Sequence, residues 1–194
     1  MKKKLVFFLF VFMVSNFGIC ALTYAGEWRF PVGLSYFSGL DDIGDILEDN
    51  ETSGYTTADI TVIPVGITFR PYYEFENGMG VGMDFGPTML TTGDIDFFNF
   101  PINATFRYSF NHDGNTSPYL RAGVSYNIVS GDYKEGSNPG IFAAAGIELM
   151  RTKMIGFGIE VAYDSSEIEM ENLDYSRIDE IKPGDLILTF SVIF

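Results

Sequence analysis

The stretch Ile155-Gly156-Phe157-Gly158-Ile159-Glu160-Val161-Ala162-Tyr163-Asp164 places Ile155, Phe157, Ile159, Val161 and Tyr163 on one side of an extended chain, and Gly156, Gly158, Glu160 and Asp164 on the other. Successive side chains of a β-strand point to opposite faces, so a strict period of two with one greasy and one small or charged face predicts a strand between unlike environments.

The same alternation recurs outward in both directions. Toward the N-terminus, a short Arg151-Thr152-Lys153 turn separates this strand from Ile141, Ala143, Ala145, Ile147 and Leu149, which oppose Ala144, Gly146 and Glu148. Before it, Leu120, Ala122, Val124, Tyr126 and Ile128 oppose Arg121, Gly123, Ser125 and Asn127, and a polar turn from Asn111 to Ser117 leads back to Phe98, Phe100, Ile102, Phe106 and Tyr108 against Asn99, Asn103, Thr105 and Arg107. Met79, Val81, Met83 and Phe85 oppose Gly80, Gly82, Asp84 and Gly86; Glu76-Asn77-Gly78 just before them suits a tight hairpin, because Asn and Gly tolerate positive φ. Ile63, Val65, Ile67, Phe69 and Tyr73 face away from Gly66, Thr68, Arg70 and Glu74, and Trp28 to Tyr36 alternate against Arg29, Pro31, Gly33 and Ser35. Toward the C-terminus, Leu186, Leu188, Phe190, Val192 and Phe194 oppose Ile187, Thr189 and Ser191. Eight strands result, and no stretch after Gly26 keeps a helical period.

The connections sort by length. Those after the second, fourth and sixth strands are short, and those after the first, third, fifth and seventh are medium or long, so the two classes fall at opposite ends. An even strand number, apolar-out and polar-in alternation and this asymmetry predict an all-β, eight-stranded antiparallel up-and-down transmembrane barrel with short periplasmic turns and longer extracellular loops. A water-soluble barrel would turn the apolar set inward and leave Arg70, Arg107, Arg121, Glu148 and Glu160 outside. Glycines on the polar face, aromatics near strand ends and the terminal Phe194 favour the membrane. Pro64 and Pro101 fall within expected strands, where a closed barrel offers no free edge, so bulges or displaced strand ends are expected there.

The first residues fit export. Lys2, Lys3 and Lys4 precede an apolar run from Leu5 to Val14 and smaller residues up to Ala25, the order of a secretory signal peptide. Cleavage after Ala25 is expected, leaving one domain, residues 26–194; the run is short for a retained membrane helix. Cys20, the sole cysteine, lacks a lipobox before it and is expected to leave with the signal. Removal of residues 1–25 deletes three lysines and no acid, taking the formal charge from −14 to −17. Such acidity excludes nucleic-acid binding, which needs a basic footprint.

The end of the chain, Leu186-Ile187-Leu188-Thr189-Phe190-Ser191-Val192-Ile193-Phe194, is similar to the C-terminal signal of outer-membrane barrels, with Phe190, Val192 and Phe194 as its apolar positions. Pro118-Tyr119-Leu120-Arg121-Ala122-Gly123 also resembles a segment common in that group. The chain from Gly26 onward thus resembles the small OmpX and OmpW barrels and the membrane domain of OmpA. The resemblance implies a Gram-negative outer-membrane location and contact with the outer-membrane assembly machinery; the peptidoglycan-binding domain that follows the OmpA barrel has no counterpart before Phe194, so a cell-wall tether is not expected.

On the inward face, Arg29, Arg70, Arg107 and Arg121 meet Glu74, Asp84, Glu148 and Glu160. Unpaired charges in a narrow bore are costly, so a structural ion-pair network is expected, and eight strands are too few for an open channel. A gate whose pairs rearrange to admit ions or small solutes is the alternative for the network, and a narrow OmpW-like channel for small or hydrophobic solutes is the alternative function. The expected outer loops at 39–59, 90–97, 130–140 and 164–183 carry 18 of the 26 acidic residues. Such a rim is expected to meet lipopolysaccharide and outer-membrane lipids through divalent cations. Glu167, Glu169 and Glu171 alternate with Ile168 and Met170, which predicts a strand projecting beyond the bilayer. No EF-hand spacing or other dedicated metal or cofactor set is present. The single histidine, His112, falls in a short turn, and no nucleophile has a base beside it. The expectation is a non-enzymatic, monomeric membrane protein.

Overall fold

The computed structural model describes residues 26–40, 42–45, 64–86, 88–92, 95–131, 134–172 and 177–194. The expected signal peptide, with Cys20 and the Ala25 cleavage position, lies outside the described residues, as does most of the 39–59 loop.

The extended segments in chain order are β1 (Gly26–Arg29), β2 (Pro31–Phe37), β3 (Val65–Phe69), β4 (Tyr72–Phe75), β5 (Met79–Phe85), β6 (Thr88–Thr92), β7 (Ile95–Ser109), β8 (Thr116–Gly131), β9 (Lys134–Asn138), β10 (Gly140–Leu149), β11 (Gly156–Asp164), β12 (Glu167–Asn172), β13 (Arg177–Ile181) and β14 (Ile187–Ile193). They assemble into eight barrel strands. The pairs β1/β2 and β3/β4 are two long strands, since one antiparallel register runs from Gly26 opposite Phe75 to Tyr36 opposite Val65. β5 and β6 form a third, both pairing with β7 in a common register. β7, β8, β10, β11 and β14 follow as successive antiparallel neighbours.

β14 then returns to β2, from Ile187 opposite Phe37 to Ile193 opposite Pro31, and the Phe30 N–H donates to the Phe194 carbonyl at 3.1 Å. The ring is closed by this pairing, and closure spares a barrel in hydrocarbon the several kcal/mol that each unpaired backbone group would cost. Among the described residues no helix is long and apolar enough to cross a membrane.

Prolines mark where the ladders pause. Pro64 precedes β3 and accepts from Phe37 N–H at 2.9 Å, so it sits at a strand end. Pro101 stays inside β7, opposite Asn127 on β8, and its other side faces the interruption between β5 and β6. Pro31 and Pro71 flank the interruptions of the first two strands, where Arg70 N–H donates to Pro31 and Met83 N–H to Pro71.

Alternation puts the apolar set outside. Leu34, Ile67, Val124, Ile141, Phe157, Val161 and Phe190 are exposed, while their strand neighbours Ser35, Thr68, Ser125, Phe142, Glu160 and Thr189 are buried. At the short-turn end, Trp28 packs edge-on against Tyr73, Phe30 stacks with Phe69, and Tyr108 meets Phe110, an aromatic band outside the wall. The hairpin at 76–78 uses Gly78 at φ 77, with Gly78 N–H donating to Phe75 and Met79 N–H to the Asn77 side chain.

At the other end the wall continues past the barrel. Most of the expected 90–97, 130–140 and 164–183 loops is strand, because the apolar alternation ends at the bilayer rim while the backbone ladder does not. β12 and β13 pair from Ile168 opposite Ile181 to Asn172 opposite Arg177, prolonging the β11–β14 ladder, and β9 pairs with β12 through a bulge at Glu169/Met170. Ile168 and Met170 are fully buried and join Phe37, Leu40, Ile43, Val129, Phe142, Ile181 and Ile187 in an apolar cluster over the long-loop mouth. Glu167, Glu169 and Glu171 occupy the opposite face of β12. The helical turn at 42–45 helps cover this cluster.

Candidate functional site

Interior side chains stack in layers along the bore. Nearest the short-turn end, Glu148 on β10 accepts from Tyr72 O–H at 2.7 Å, lies 2.9 Å from the Arg107 Nη2 and 2.6 Å from the Arg151 Nη1. Arg151 also reaches Glu74 at 2.6 Å and donates through Nε to the His112 carbonyl at 2.7 Å, tying the turns at 110–115 and 150–155 across the mouth. Burial opposes the charge on Arg151, but its hydrogen bond to Glu74 and the nearby carboxylates outweigh this and raise its pKa.

The second layer centres on Glu160 of β11. Arg70 donates to it at 2.7 Å, Arg121 grips it with Nε at 2.9 Å and Nη2 at 2.7 Å, and Tyr119 O–H donates at 2.9 Å. The third donor of Arg121, Nη1, reaches Asp84 at 2.7 Å. Arg107 and Arg121 are direct cross-strand partners, yet they splay to opposite layers. The Arg107 guanidinium lies between the Tyr119 ring, 3.6 Å from its centroid, and the Tyr72 ring at 4.4 Å. Tyr119 therefore joins the layers, carrying Arg107 on its face and Glu160 on its hydroxyl.

Of the residues expected in the bore, Arg70, Glu74, Asp84, Arg107, Arg121, Glu148 and Glu160 come together inside it. Arg29 does not. It is paired with Glu27 at the rim and donates to the Arg151 carbonyl at 3.1 Å, because strand parity persists to the strand end while the enclosing wall does not. Arg151, a turn residue, takes the interior place. Met150 at φ 56 turns the chain and Arg151 points back into the mouth. Tyr72 and Tyr119 were also missed, although parity with Arg70, Glu74 and Arg121 carries the signal for both.

Little space remains. One cavity of about 30 Å³ lies above the second layer and another of about 10 Å³ between the layers, room for about two waters and one. Glu148 and Glu160 are both committed to guanidiniums, so neither is placed to act as an acid or base on a substrate. His112 sits beside Asp113 at 3.0 Å in the 110–115 turn, far along the chain wall from the outer sheet.

Tight packing gives a test. A Cβ at Gly146 would enter the Tyr119 ring and hydroxyl. Gly146→Val should displace Tyr119 from Glu160 and Arg107 and lower stability by about 1–3 kcal/mol, the usual cost of overpacking, seen as a lower urea midpoint in lipid vesicles. An unchanged midpoint would mean that the layers are loosely filled.

Comparison with known proteins agrees with this architecture. Residues 9–194 match the family described as outer membrane protein beta-barrel domain. Among solved structures, the outer membrane protein OprG from Pseudomonas aeruginosa is similar at 12% identity and TM-score 0.55, over 88% of this chain and 97% of that one. The E. coli outer membrane protein W is similar at 16% identity and TM-score 0.53, over 89% and 98%. Neisserial surface protein A is similar at 15% identity and TM-score 0.50, over 87% and 96%. At these identities the likeness is one of fold. No curated protein matches the chain.

Proposed function

Because the chain belongs to the outer membrane protein β-barrel domain family and resides in the outer membrane of a Gram-negative bacterium, we propose that it is a non-enzymatic, monomeric surface protein whose barrel is a sealed anchor for its acidic outer segments. The observation that carries this reading is the filled bore: two ion-pair layers, with cavities of only about 30 and 10 Å³ beside them. The outer segments would meet lipopolysaccharide and lipid headgroups through divalent cations bridging like charges. Phe190, Val192 and Phe194 would serve recognition by the assembly machinery; Phe190 and Phe194 are exposed on the barrel exterior, and β14 is the strand that closes the ring. No cofactor is needed for such a role.

The test is gel mobility in detergent before and after boiling, followed by planar-bilayer conductance of the folded form. A heat-modifiable band without conductance steps is expected. Discrete steps would overturn the sealed reading in favour of a narrow OmpW-like channel for small or hydrophobic solutes.

A further inference from the structure

Among the described residues, the buried ionisable groups other than tyrosine are four arginines, Arg70, Arg107, Arg121 and Arg151, and five carboxylates, Glu74, Asp84, Glu148, Glu160 and Asp164. Four of the carboxylates meet a guanidinium. Asp164, at the end of β11, meets none. It accepts from the Ser125 hydroxyl and from Ser166 N–H at 2.8 Å, and it shares its cavity with Asp84, Glu160 and Arg70.

Asp164 lines the larger cavity, which lies between the Arg70–Glu160–Arg121 layer and the apolar cluster containing Phe37, Phe142 and Ile187. The polar wall is rich in oxygen. Ser35 bonds to Thr68 at 3.1 Å and to Thr189 at 2.7 Å on one side, and Asp84, Asn103 and Ser125 are successive cross-strand neighbours on the other. Asn103 is buried, lines the same space, and its Oδ1 has no hydrogen-bond partner; Arg70 Nε, on the same wall, also lacks one.

We propose that this chamber is a site for one small monovalent cation of the sodium class, held by Asp164 with the Asn103 carbonyl oxygen and neighbouring hydroxyls. The cation balances the fifth carboxylate, since an uncompensated charge under an apolar cap is costly. A water on the cation would accept from Arg70 Nε, and a volume of about 30 Å³ holds the ion with one water. The set is all oxygen and holds one free carboxylate, which suits a hard ion of low charge better than a divalent one. The inference concerns the bore and stands apart from any role of the outer segments.

The test is unfolding of the full barrel in lipid vesicles at constant ionic strength, exchanging sodium chloride for N-methylglucamine chloride. A ligand bound by the folded state alone stabilises by mass action, so at concentrations well above half-saturation a tenfold rise in sodium should raise the folding equilibrium constant nearly tenfold. Asp164→Asn, nearly isosteric and checked for folding by heat-modifiability, should abolish that dependence. Three results would overturn the proposal: stability indifferent to sodium and to pH, meaning water alone; stability that follows pH and not sodium, meaning a proton on Asp164; or sodium dependence that survives in Asp164→Asn, meaning a site elsewhere.

Discussion

Replacement of Arg121 by methionine should lower the stability of the folded barrel by about 3–5 kcal/mol, the usual consequence of removing one partner from a buried charge pair. Arg121 alone spans Asp84 and both oxygens of Glu160, and its guanidinium lies 5.0 Å from the centroid of the Phe142 ring. Methionine fills much of the volume but leaves Asp84 without a counter-charge and Glu160 with Arg70 alone. The loss is expected as a lower urea midpoint in lipid vesicles, followed through Trp28, the single tryptophan, which is exposed in the aromatic band outside the wall. Adding Asp84→Asn to the same chain restores the charge match and should recover part of the loss. High salt should change the difference little, since enclosed pairs are weakly screened. A loss below about 1 kcal/mol, the value of a solvated surface pair, would mean that water reaches the layers and that the bore is not sealed.

Ile168→Asp should have an effect of similar size at a different place. Ile168 is fully exposed to neither water nor lipid: it is buried in the apolar cluster over the mouth, beside Met170 and opposite Ile181. A carboxylate there has no partner, and the cost of several kcal/mol exceeds what a small three-stranded sheet holds in reserve. The outer sheet should open while the barrel, closed by β2 and β14, stays intact. The expected observation is rapid protease cleavage within 134–181 in a protein whose heat-modifiable mobility survives. Loss of both together would show that the sheet and the barrel fold as one cooperative unit.

The sequence carried the barrel well because both faces of each strand have distinct solvents, and lipid demands apolar side chains along one of them. Every barrel strand announced itself by that demand. Where lipid ends, the signal ends too, so the later part of β6 and all of β9 and β13 were hidden within expected loops although their backbone pairing continues. β12 was the exception, since Ile168 and Met170 answer to a second apolar surface, the cluster over the mouth. Within the bore, parity located Arg70, Arg107, Arg121, Glu148 and Glu160, and failed at the ends. Arg29 obeys parity but has no wall around it, and Arg151 belongs to a turn, where parity has no meaning and the direction of a side chain depends on one left-handed residue, Met150. Asp164 shares the parity of Glu160 and falls on the polar face, yet it also counts with the acidic rim, because at a strand end parity alone does not separate a carboxylate just above the layers from one in solvent.

The shared register of β11–β14 and β12–β13 sets a parity rule for change in this protein. A single residue inserted at 165–166 would exchange the two faces of β12, turning Glu167, Glu169 and Glu171 onto the mouth and Ile168 and Met170 toward solvent. Two residues inserted at that joint restore the faces, and the bulge on the β9 side marks where a one-residue difference has already been absorbed. Length variation at the joints between barrel and outer sheet is thus confined to even steps, so grafted sequences or tags should be placed at the tips of this sheet and kept out of its roots.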